Sequence, residues 1–91
     1  MLKLNSVPIG NYVIIDDLLS TGILRERMLA LGLTKGTKIE VIRKGPSGDP
    51  TVYNIRGAMI ALRNEESSLI LVNSTKNSRN NLSSVIKTNI I

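Results

Sequence analysis

The 91-residue chain contains no cysteine, no histidine, no tryptophan and no phenylalanine. Without cysteine there are no disulfides and no thiolate metal ligands, and without histidine no imidazole serves as ligand or general base. Zinc knuckles and Cys–His nucleophiles are excluded on composition alone. Tyr12 and Tyr53 are the only aromatic residues. They leave little for a base-stacking platform and weaken the case for an aromatic groove that receives proline-rich peptides. Apolar runs such as Val13–Ile15 and Leu69–Val72 fall far short of the ~18 residues that a membrane-spanning helix needs. The start Met-Leu-Lys-Leu-Asn-Ser has no apolar h-region of a secretory signal, so a soluble, cytoplasmic protein is expected.

What the chain does have is aliphatic. Apolar residues make up 42% of it, mostly Val, Ile and Leu, enough for one small β-rich core and too little for a core plus a deep catalytic cavity. The net charge of +5 is unevenly spread. Residues 1–72 carry nine Lys/Arg and seven Asp/Glu, whereas residues 73–91 carry Lys76, Arg79 and Lys87 and no acid. Residues 73–80 are polar throughout and lack apolar anchors. A folded domain over 1–72 and a basic, largely flexible tail over 73–91 are therefore expected. In the tail, Leu82, Val85, Ile86, Ile90 and Ile91 share helical spacing, which fits a short docking helix or a frayed end equally well.

Within the domain, apolar alternation and turn residues predict five strands: Asn11–Ile15, Thr37–Arg43, Thr51–Ile55, Met59–Arg63 and Leu69–Val72. One helix is predicted at Ile23–Leu31, with Leu24, Met28 and Leu31 on one stripe and Ser20 or Thr21 as cap. Gly32 is expected at positive φ behind its end, with Leu33 folding back on the last turn. Pro46 and Pro50 confine residues 44–50 to a loop, and 64–68 read as a turn. The pattern is mainly β, a small barrel of about five antiparallel strands with one short helix between strands 1 and 2. Crossover helices have no room, which excludes a parallel βαβ fold. Leu24, Met28, Leu31, Ile39, Val41, Ile60, Leu62 and Ile70 hold the inward phase.

The run Leu24-Arg-Glu-Arg-Met-Leu-Ala-Leu-Gly-Leu33 followed by Lys35-Gly36, the Gly48-Asp49-Pro50 loop, and Ile55-Arg56-Gly57 with Ile60-Ala-Leu-Arg63, Glu66, Ile70 and Val72 resemble, in series, ferrous iron transport protein A (FeoA). The resemblance covers residues 2–72. Met28 replaces the family's usual Leu, and Ser67 its usual Ala. It implies an SH3-like β-barrel and a non-enzymatic accessory role beside the membrane GTPase that imports ferrous iron (FeoB-type), with contact to the membrane only through that partner. It also implies likeness to the regulatory barrels of metal-dependent repressors, although no helix-turn-helix is present.

The remaining chemistry is sparse. Ferrous iron sites draw on imidazole, thiolate and carboxylate, and only carboxylates are available. Asp16 and Asp17 diverge if the strand continues, and Glu65 and Glu66 read as solvated turn residues rather than as a weak hold on a hydrated cation. No catalytic, cofactor or metal residues are assigned, and no phosphate loop is present. A nucleic-acid-binding barrel is the competing reading, disfavoured by the scarcity of rings. On a helical wheel Leu29 lies opposite the apolar stripe, flanked by Arg25 and Glu26. These three are the candidate protein-binding residues of a chain expected to be monomeric in isolation.

Overall fold

The computed structural model describes residues 2–75. The expectations for residues 76–80 and for the helical face at 82–91 lie outside the described residues. Six strands form one antiparallel sheet: β1 (Leu2–Lys3), β2 (Tyr12–Leu18), β3 (Lys38–Lys44), β4 (Thr51–Ile55), β5 (Ala58–Leu62) and β6 (Ile70–Ser74). The order is β1-β6-β2-β3-β4-β5, so β1 and β5 are its edges. Helix α1 (Gly22–Ala30) joins β2 to β3, and the one-turn α2 (Asn64–Ser67) joins β5 to β6. The expected mainly-β class and helix placement hold. The sixth strand is the two-residue β1, followed by a 3-10 turn at Leu4–Ser6. Two residues are too short to show a period, yet they bring Leu4 and Val7 into the core.

Alternation explains most of the interior. Val13 and Ile15 of β2, Ile39 and Val41 of β3, Tyr53 and Ile55 of β4, and Ile70 and Val72 of β6 are buried, and their strand neighbours face out. β2 does not stop at Ile15. A bulge lets Ile15 pair with Val72 and Asp17 with Leu71, leaving Asp16 as the extra residue. Unbroken alternation would have turned Asp17 inward in phase with Ile15; the bulge exposes it instead and buries Leu18. β6 runs on through Asn73 and Ser74, two polar residues that composition alone assigned to the tail. Burial pushes the Tyr53 hydroxyl above the ordinary tyrosine value, and hydrogen bonds with Ser67 and Thr51 pull it partway back.

Helix α1 buries fully only Met28, with Leu24 half-buried against the core. Leu31 departs from expectation: it is 38% exposed. The reason lies in the way the helix ends. Leu31 is the C-cap, Gly32 reverses the chain at φ 94°, and Leu33, fully buried, takes the interior place that the 3.6-residue period assigned to Leu31. The Gly32 N–H donates to Leu29 O at 3.0 Å and the Leu33 N–H to Met28 O at 3.0 Å, the two bonds of a Schellman cap. At the other end the expected hydroxyl cap is absent. Thr21 is the N-cap residue without a side-chain bond, and the buried Ser20 hydroxyl turns inward to Met28 Sδ at 3.2 Å.

Candidate functional site

Two surface regions are built by this fold, and the first is the outward side of α1. Taking Met28 as the innermost position, ~100° steps place Glu26 and Ala30 outermost, with Ile23 and Leu29 on either shoulder. Ile23 is 84% exposed and Leu29 40%, and Glu26 and Ala30 are exposed with them. Leu29 thus stands off the core, as the wheel predicts. Arg25, named with Leu29 as a candidate contact residue, is tied to the scaffold: its Nη1 donates to Leu18 O at 3.0 Å. Glu26 makes no ion pair among the described residues. Arg27, on the opposite flank, pairs with Glu66 at 2.6 Å. Two guanidinium groups therefore anchor α1 from both sides, and the face between them is free for contact. Ile23 was not singled out by the sequence, because it opens the helix and its phase is fixed only once Met28 is known to be the single buried position.

α2 is held by the loop that carries Gly48-Asp49-Pro50. Asp49 Oδ1 accepts the Asn64 N–H at 2.7 Å, and Asn64 Oδ1 accepts from Asn5 Nδ2 at 2.9 Å. Glu66 Oε1 accepts the Arg63 N–H at 2.9 Å. The Gly-Asp-Pro loop is thus a structural device: its carboxylate satisfies a helix-start donor that the short helix cannot satisfy internally. Glu65 and Asp17 remain exposed, and among the described residues no three of His, Cys, Asp and Glu gather to hold a metal ion.

The second region is a cleft of about 450 Å³ over the outward faces of β2, β3 and β4. Its floor comes from Tyr12, Glu40 and Asn54, which face one another across the three strands. Lys35 and Lys38 stand at one wall, with Lys38 Nζ 5.1 Å from the Tyr12 ring centre. The other wall is the β4–β5 turn, where Arg56 and Gly57 have φ of 55° and 88°. A two-residue turn with both φ positive is type I′, whose first position favours Asn, Asp or Gly. Arg56-Gly57 reads in the sequence as a turn, and the unexpected part is an arginine at the first position of a type I′ turn. Its Nη2 donates to Thr37 Oγ1 at 3.1 Å and Thr34 Oγ1 at 3.3 Å.

No helix among the described residues is long and apolar enough to cross a membrane. The FeoA domain family matches residues 2–74. The Fe(2+) transport protein A/Fe(2+) transporter FeoB fusion protein of Porphyromonas gingivalis is 30% identical over 71 residues, covering 78% of this chain and 8% of the fusion protein. Among solved structures, iron(II) transport protein A of Clostridium thermocellum superposes with a TM-score of 0.77 at 34% identity, over 80% of this chain and 45% of that one. FeoA of Stenotrophomonas maltophilia, an SH3-domain protein, superposes with a TM-score of 0.72 at 22% identity, over 80% and 91%, a likeness of fold. With its family signature extending from β1 to the last residue of β6, this chain belongs to the FeoA domain family.

Proposed function

We propose that this domain is a non-enzymatic, cytoplasmic accessory of ferrous iron uptake that acts by binding the membrane GTPase transporter of FeoB type. The observation that carries the reading is the fusion relative, in which a segment similar to this chain and an FeoB transporter share one polypeptide. Covalent linkage keeps two partners at high effective concentration, which serves a pair that works in contact. The outward side of α1 supplies a surface suited to such contact: Leu29 and Ile23 offer apolar area, Glu26 a polar rim, and Arg25 and Arg27 hold the helix in place. Ferrous iron is the transporter's cargo in this scheme and is not held by this domain. The chain is a monomer on its own. Co-purification of the tagged full chain with a detergent-solubilised FeoB-type transporter tests the proposal. Stoichiometric capture is expected; no capture, together with tight and salt-sensitive binding of single-stranded RNA, would transfer the case to a nucleic-acid-binding barrel.

A further inference from the structure

The geometry points to the cleft beneath Arg56 as a second docking site, one that takes an acidic segment of a partner protein through its Asp and Glu carboxylates. Three observations converge on it. First, Arg56 occupies a backbone position at φ 55° that asparagine would fill with less strain. Left-handed non-glycine positions of this kind cluster at binding and active sites. Second, none of the cations there is ion-paired among the described residues. Lys35, Lys38 and Arg56 face the cleft with Glu40 as the lone acid, and the one ion pair among the described residues is that of Arg27 with Glu66. Arg56 uses only Nη2 against the two threonine hydroxyls, which fixes its plane while leaving Nε and Nη1 to donate. A planar guanidinium held in this way suits a carboxylate. Third, the approach is open: a Cβ on Gly36 or Gly57 would meet nothing within 4 Å.

The choice of occupant follows from the same residues. Tyr12 is the cleft's only ring, and Lys38 Nζ lies over it, so a nucleobase would find a ring with a cation already over one face and no second ring to stack on. Glu40 can accept backbone N–H groups of a peptide, donors that a phosphate backbone lacks. β3 is paired on both sides, by β2 and β4, so the peptide engages through side chains and adds no strand. The chain's own residues 76–91 carry three cations and no acidic side chain, the wrong sign to fill the cleft. The inference rests on the domain being an interaction module, and not on which transporter it meets.

The test is amide chemical-shift mapping of the ¹⁵N-labelled full chain with N-acetyl hexaglutamate amide, inorganic phosphate and octauridine as separate probes, at physiological salt. Saturable shifts at Lys35, Lys38, Arg56 and Gly57 are expected with the peptide. In Arg56→Asn the turn is kept and the guanidinium removed, and affinity should fall about tenfold. Should that variant fold poorly, Lys35→Glu/Lys38→Glu carries the same expectation. Unsaturable or absent peptide shifts overturn the inference. So does unchanged affinity in both variants, or tighter binding of phosphate or octauridine at the same amides. Cleft shifts in a chain that captures no transporter support the cleft and overturn only the transporter reading.

Discussion

Helix α1 and the β4–β5 turn each carry an arginine away from the apolar interior, and the two are used differently. Arg27 meets Glu66 at 2.6 Å, and the same carboxylate accepts the Arg63 N–H through its other oxygen; the pair ties α1 to α2. Arg56 meets only hydroxyls, from Thr34 and Thr37, and sits on a strained backbone. Arg27 spends its charge on a counter-ion within the chain, whereas Arg56, positioned by neutral hydroxyls at a left-handed backbone position, has no counter-ion among the described residues and leaves its charge open to the proposed ligand. The comparison makes the two arginines separable: breaking the Arg27–Glu66 pair should move stability, and removing the Arg56 guanidinium should move binding at the cleft.

The largest effect should come from Met28→Ala. Met28 is the one fully buried residue of α1, and its loss should cost roughly 2–5 kcal/mol in urea unfolding. A smaller value would mean that α1 is held mainly by its two arginines. Next, Glu66→Ala removes the acceptor at the start of α2 together with the ion pair. About 1–2 kcal/mol is expected, most of it from the lost capping contact, since Arg27 is largely exposed. Arg27→Ala should therefore cost less than Glu66→Ala, and the reverse order would show that the ion pair is the stronger clamp. The smallest effect belongs to Arg56→Asn. Relief of left-handed strain offsets the two lost hydroxyl contacts, so thermal unfolding should stay within ~0.5 kcal/mol of the parent or rise. A loss comparable to that of Glu66→Ala would make Arg56 a structural residue and erase the contrast.

How far this could be read from the sequence depends on whether each feature has a period. The alternation in β3 and β4, the Met28 stripe and the reversal at Gly32 were all legible, because strand pleat and helix cap impose regular spacing. Leu31 misled because the helical period was carried one residue past the helix; at the cap the chain turns and Leu33 becomes the buried residue. The bulge at Asp16 was hidden because an extra residue shows itself only through its partner strand. Leu29 was legible as an exposed position, Arg25 was not legible as a bonded one, and Arg56-Gly57 was legible as a turn but not as type I′, since arginine is a residue that such turns seldom accept. The Gly-Asp-Pro loop was legible as a motif and not as a cap for Asn64, which lies fifteen residues further on.

The central claim, that the domain works by contact through the outward side of α1, is tested most directly by the affinity of the full chain for an FeoB-type transporter before and after Leu29→Glu. Leu29 is 40% exposed on a helix, and Glu is a good helix former, so the fold should be unaffected. A new carboxylate facing an apolar partner surface costs several kcal/mol, so the account predicts that binding falls at least about a hundredfold while urea unfolding stays unchanged. Equal affinities for the two chains would contradict it.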